Sequence, residues 1–222
     1  MSDTRFIALK NLEVRIKDID LLLEAQDKLM IFSKADDQFD KLKKENKIKD
    51  IEHVIKIFTL IMKMFSSKSV GKGRPLVDAE AINKAAYILC VAHFQGFIDE
   101  LFKEVAKEVI SKKVNGSGEE IEKIIKSLSE TKYNPRVDVI NKLFATIGFY
   151  NIVDEINWQK MSNNTVKDKI KNMIEIRNKI AHGSAVIINN KPKRIDKSEV
   201  RKLKDFVNLF ARTICDVIKS KL

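Results

Sequence analysis

Glycine, proline and cysteine are scarce in this chain, with 7 Gly, 3 Pro and 2 Cys in 222 residues. So few chain breakers leave long regular segments uninterrupted, which argues against a sandwich of many short strands and favours helices. Cys90 and Cys215 are far apart, and no CxxC or Cys/His ligand spacing occurs. A zinc site is therefore not expected; two buried, reduced thiols are. No stretch approaches the ~20 consecutive apolar residues of a membrane span. The opening MSDTRFIALK is charged and lacks the apolar core of a signal segment. The expectation is a cytoplasmic protein without a membrane partner. No carboxylate cluster suggests a metal site, and no cofactor is expected. The GKG of residues 71–73 resembles part of a phosphate loop, but the GxxxxGK[ST] spacing is absent.

What is present is a globular composition, 44% hydrophobic and 33% charged, in a length that fits one domain or at most two small ones. The net charge is +11. Residues 131–222 carry 19 Lys+Arg against 9 Asp+Glu, while the two preceding thirds nearly balance. Such a field attracts polyanions, and RNA is the expected partner. A generally lysine-rich surface would give the same count.

Residues 5–32 read as one amphipathic helix, with the stripe Leu9, Leu12, Ile16, Ile19, Leu23 and Met30 interrupted by Gln26. Residues 36–50 are charged and form a solvated helix or helix–loop passage. Residues 51–65 read as a buried helix bearing Val54, Ile55, Phe58, Ile61, Met62 and Phe65. Residues 66–75 are a basic loop. Asp78 is the expected N-cap of a helix running to about Lys113 that is apolar almost all round between Ala85 and Phe102, and so central. Gly96 inside it implies a close approach by another helix.

After the break at 115–118, a short helix covers 119–128. Asn134-Pro135 is expected to cap the next helix, which ends at Gly148. Residues 149–158 are irregular. Asn164 or Thr165 should cap a helix with the stripe Val166, Ile170, Met173, Ile174, Arg177 and Ala181, ending at Gly183. A short extended piece at 185–188, a basic turn at 189–194 and a closing helix at about 198–219 complete the chain. The isolated aromatics Tyr133, Tyr150 and Trp158 are expected in the core, although each could stack on a base.

The string Ile176-Arg177-Asn178-Lys179-Ile180-Ala181-His182-Gly183 carries the chemistry. Arg177 falls on a stripe that should face apolar neighbours, so it must be paired or must face a polar cleft. His182 arrives at the helix end, and Asn178, four residues earlier, can share its face and orient its ring. Lys171, Lys179, Lys191, Lys193 and Arg194 flank the motif and are the expected contacts to an RNA backbone.

RNKIAHG is similar to the RN-x-x-AHG form of the R-x(4–6)-H motif in HEPN ribonucleases. The stretch Ala92-His93-Phe94-Gln95-Gly96-Phe97 resembles a second feature of that superfamily, an aromatic-Glu-Gly-Phe segment on the central helix. Leu143-Phe144 followed by Gly148, and the amphipathic helix that closes the chain, fit the same order. The likeness covers roughly 78–220, and is closest to groups found beside toxin–antitoxin and phage-defence genes.

The resemblance implies an all-α, HEPN-like helical bundle at 76–222 with an N-terminal helical extension at 1–75. It implies a homodimer with a composite site, cutting RNA without a metal and leaving a 2′,3′-cyclic phosphate. Arg177 would hold the scissile phosphate, His182 would act as acid or base, and Asn178 would position either. Gln95 would support Arg177. Relatives often carry Glu there, and a neutral amide cannot pair an arginine by charge; this weakens the anchoring of Arg177 or marks a binding-only member. A non-catalytic RNA- or nucleotide-binding module, or a toxin subunit held by a cognate antitoxin protein, are the alternatives.

Overall fold

A computed structural model describes residues 6–44, 58, 79–113, 116–129, 134–159, 161–188 and 191–222, the side chains of 32–44 and 188–191 excepted. Its helices are α1 (Ile7–Arg15), α2 (Lys17–Lys44), α3 (Glu80–Lys113), α4 (Gly118–Ser129), α5 (Val137–Ala145), α6 (Asn163–Ala181) and α7 (Lys197–Lys219). A 3-10 turn spans Ile152–Glu155, and β1 (Ile187–Ile188) pairs antiparallel with β2 (Lys191–Pro192). The fold is all-α, as the composition and the motif order imply.

α3 is the central helix, packed against α1, α2, α4, α5, α6 and α7. Phe94, Phe97, Phe102 and their apolar neighbours on α3 are buried because other helices cover several of its sides. Phe94 meets Phe210 of α7 edge to face, and Phe102 meets Phe144 of α5 in the same way. By length and composition alone α3 is apolar enough to cross a membrane, and 56% of its most apolar window is buried in the fold. The expectation that no stretch approaches a span is therefore corrected. Lys84 is the one Asp, Glu, Lys or Arg side chain between Ala81 and Ile98, and the apolar residues there outweigh Asn83, His93 and Gln95 in the average although they form no unbroken run.

The first helix is not continuous. α1 stops at Ile16, and α2 then runs to Lys44, beyond the expected end at 32. The shared buried stripe (Leu9, Leu12, Ile16, Ile19, Leu23) explains why periodicity read the two as one. Gln26 does not leave that stripe; it is buried, with Oε1 unpartnered among the described residues. Phe6, the N-cap residue of α1, makes no side-chain cap. Instead, Glu104 of α3 accepts from the backbone N–H of Ile7 (2.9 Å) and Ala8 (3.0 Å). Arg15 forms a bidentate pair with Glu100 at 2.6 and 3.1 Å. The close approach foreseen at Gly96 is this side chain: a Cβ there would lie 3.3 Å from Arg15 Nη1.

α7 runs antiparallel to the first two helices along a ladder of ion pairs. Lys197 meets Asp27 (2.5 Å), Lys204 meets Asp20 (2.5 Å) and Arg212 meets Glu13 (3.2 Å). Among the described residues, Ala8, Leu9, Leu12, Ile16, Ile19 and Leu23 belong to the same core cluster as α3 and α7.

Two expected caps are corrected. α5 begins at Val137 behind Arg136, so Asn134 is not its cap. Pro135 restricts the residue before it to extended backbone, delaying the helix. α6 begins at Asn163 behind Ser162, whose Oγ accepts from the Thr165 amide; the neighbouring polar residues made the cap ambiguous. The last helix begins at Lys197 behind Asp196, whose side chain accepts from the Glu199 amide. Phe58, described singly, is helical and 64% exposed, against the expectation that it is buried. Apolar residues fill so much of the sequence 51–65 that it does not single out which of their side chains are covered. The rest of the expected helix at 51–65, the loop at 66–75, the Asp78 cap and Tyr133 lie outside the described residues.

Candidate functional site

α6 carries the motif. Val166, Ile170, Met173 and Ile174 bury one face against the core, and Arg177 continues that stripe where the burial becomes partial. Its Nη2 donates to Asn134 Oδ1 at 2.7 Å and, more weakly, to Gln95 Oε1 at 3.4 Å. Both acceptors are neutral amides, and no carboxylate pairs with Arg177 among the described residues. The guanidinium is thus oriented without being neutralised. Gln95 sits where the sequence places it, on the central helix. Asn134 was read as a helix cap; its proximity to Arg177 has no local sequence signal, because the two residues are brought together only by the packing of α5 and α6.

The end of α6 follows from Gly183. Its φ of +66° is left-handed, a conformation that glycine adopts without penalty. The Ser184 amide returns to Lys179 O at 2.8 Å, and the Gly183 amide to Ile180 O at 3.1 Å, the paired bonds of a Schellman end. His182 is therefore the C-cap residue, with φ −91° and ψ 9°, and it is exposed. Five residues at roughly 100° each put the Arg177 and His182 Cα positions about 140° apart around the helix. Asn178 is half-buried, and its carbonyl accepts from the His182 amide at 3.0 Å. Among the described residues no hydrogen bond joins the Asn178 amide group to the His182 ring.

Three of the expected RNA-binding residues line two clefts. Lys179 and Lys193 line a cleft of about 490 Å³ between α6 and α7, together with Lys169 and Lys202. Lys171 lines another, of about 550 Å³, with Arg136 and Lys167. Lys179 Nζ donates to Ile187 O at 3.3 Å, Lys193 pairs with Glu199 at 2.8 Å, and Arg194 pairs with Glu80 at 3.1 Å. Lys191 lies in β2, with its side chain outside the described part. The hydrogen bond from Lys84, with Arg194 adding to it, holds the Glu80 carboxyl below its usual range.

Trp158 is half-buried, donates to Thr213 Oγ1 at 2.8 Å and meets Phe206 edge to face. Tyr150 is 71% exposed, so the expectation that it lies in the core is corrected; it follows the turn that the left-handed Gly148 makes. His93 Nε2 is buried, lies 3.6 Å from Asp18 and lacks a hydrogen-bond partner among the described residues. Burial holds its pKa below 6.5, opposed by Asp18 and reinforced by Arg15. Cys90 and Cys215 are free and buried, and burial pushes both thiols up to about 12. No group of three or more His, Cys, Asp or Glu side chains with metal-binding geometry occurs among the described residues.

A helical bundle whose central helix supports an arginine on a neighbouring helix, with a histidine at that helix's glycine-terminated end, is a protein of the HEPN class. The chain belongs to the RiboL-PSP-HEPN family, which it matches over residues 62–220. No curated protein and no solved structure matches it. Membership carries, at the coarse level, an RNase-type or RNA-related function.

Proposed function

We propose that this protein is a metal-independent endoribonuclease that acts as a homodimer, with Arg177 and His182 of two copies forming one composite site. The observation that carries this reading is the state of Arg177: held in place by two amide oxygens, partly open, and not neutralised by an acid among the described residues. Such a guanidinium suits an anion whose charge grows during reaction. His182, exposed at the helix end, supplies proton transfer.

The step balances without a co-reactant. One His182 imidazole takes the proton of the ribose 2′-OH as its oxygen bonds to phosphorus. The bond from phosphorus to the 5′-oxygen breaks, and the imidazolium of the second copy protonates that oxygen. Arg177 stabilises the charge on the non-bridging oxygens, and Asn178 positions His182 or the phosphate. The products are a 2′,3′-cyclic phosphate and a 5′-hydroxyl. The separation of Arg177 and His182 around α6 favours a site completed by a second copy.

A second reading, an RNA-binding member that does not cut, is favoured by Gln95 in place of an acid and by the lack of an orienting partner for the His182 ring among the described residues. Incubation of the purified protein with single-stranded RNA in EDTA separates the two. Cleavage to cyclic-phosphate ends is expected, with a loss of at least 100-fold on His182→Ala, in line with general acid–base contributions of roughly 10²–10⁴. Equal cleavage by wild type and His182→Ala would end the nuclease reading; RNA binding without cleavage would favour the second. A toxin or phage-defence role, with a cognate antitoxin protein as restraint and action in the cytoplasm, is the biological setting proposed. Growth arrest on expression of wild type but not of His182→Ala is its test.

A further inference from the structure

The cleft between α6 and α7 has features that the motif does not use. Its rim holds four lysines, Lys169 and Lys179 from α6, Lys193 after β2 and Lys202 from α7. Lys193 and Lys202 share a single carboxylate, Glu199, at 2.8 and 3.7 Å. Lys169 and Lys179 pair with no carboxylate among the described residues. Lys169 Nζ lies 5.5 Å from the centroid of the Phe206 ring, and Lys179 donates to a backbone carbonyl. With Glu175 also on the wall, the lining has two more cations than anions.

The floor is apolar. Phe206 is buried and braced by Trp158, and Ile187, 48% exposed, forms a lip on β1. Asn172 adds an amide able to donate and to accept. A cationic rim over an apolar floor, in a cleft of about 490 Å³, suits a ligand with a flat ring at one end and a phosphate at the other. Lys179 stands two residues after Arg177 and three before His182, so this cleft opens beside the motif helix end.

We infer that the α6–α7 cleft is a subsite for one unpaired nucleotide of single-stranded RNA, which puts its base on the Phe206–Ile187 side and its phosphate among Lys169, Lys179 and Lys202. The inference rests on the RNA-acting reading above and adds a site separate from Arg177 and His182. Single strands are recognised through splayed bases and a cationic groove, whereas a duplex keeps its bases stacked away from such a cleft.

The test uses a fluorescent 2′-O-methyl RNA oligonucleotide, which cannot be cleaved through its 2′-oxygen, so binding is read independently of cleavage. Lys169→Glu and Lys202→Glu should each weaken binding about tenfold or more, and flatten the dependence of log affinity on log salt by about 0.7 per lost phosphate contact. Lys123→Glu, an exposed α4 lysine outside the cleft with the same change of charge, should weaken it less than threefold. Ile187→Ser, at an exposed position, should weaken binding of the oligonucleotide but not of an abasic strand. Equal losses from all three charge reversals would overturn the inference in favour of a diffuse field, as would equal affinity for duplex and single strand. Absence of binding would overturn it too, and the separate cleavage comparison with His182→Ala would still decide the nuclease reading.

Discussion

Arg177 is held by a residue of α3, and His93 lies on α3 itself. Two neutral oxygens fix the Arg177 guanidinium at 2.7 and 3.4 Å. Asn134→Ala removes the shorter bond. If the proposed chemistry holds, kcat/KM for RNA should fall about tenfold or more, while the urea unfolding midpoint shifts by the equivalent of only about 1 kcal/mol. Asn134→Asp should keep Arg177 in place but neutralise it, lowering RNA affinity without loss of stability. A merely structural Asn134 would show the opposite pattern, with Asp harmless to RNA binding and Ala harmful to the fold.

His93 is disfavoured as a cation by burial, so its folded pKa lies below 6.5. The unfolded chain then takes up the proton more readily, and stability rises with pH between the folded value and 6.5. Acidification through that window should destabilise the protein. His93→Gln should reduce this loss, as seen by comparing urea midpoints at neutral and mildly acidic pH for the two proteins.

At the scale of elements, helix ends decide where chemistry sits. α6 ends in glycine and a Schellman pair of hydrogen bonds, leaving His182 exposed at the last turn. The N-cap residue Phe6 gives α1 no side-chain cap, and Glu104, 97 residues away from Ile7, supplies one. A carboxylate at a helix N-terminus satisfies open amides and opposes the positive end of the helix. Glu104→Ala should cost about 1–2 kcal/mol in unfolding free energy, and Glu104→Gln less, since one acceptor remains. The ion-pair ladder of α7 with Asp27, Asp20 and Glu13 is partly exposed and sets register more than stability, since such pairs are worth about 0–1 kcal/mol each.

Over the whole molecule, one core ties the N-terminal helices to the motif-bearing part, and the basic excess lies on the side of the chain that carries the motif. The two cysteines are part of that core. With their thiols pushed up to about 12 by burial, neither should react with a disulfide reagent such as DTNB at pH 8 in native protein, and both should react in denaturant. Rapid labelling of either in the folded protein would mean that the α3–α7 packing opens readily.

The sequence by itself determined the helical class, the central place of α3, the end of α6 at Gly183 and the positions of Arg177 and His182 within their helix. All of these depend on local periodicity, glycine chemistry or short motifs, which act over a few residues. Only the tertiary structure decided that Asn134 turns from a helix cap into a partner of Arg177, and that Glu104 caps α1. It also decided that Lys171 and Lys179 line different clefts, and that Gln26 stays buried while Tyr150 does not. Each of these depends on which helix faces lie against each other. That is a property of packing between residues far apart in the chain, so no local pattern carries it.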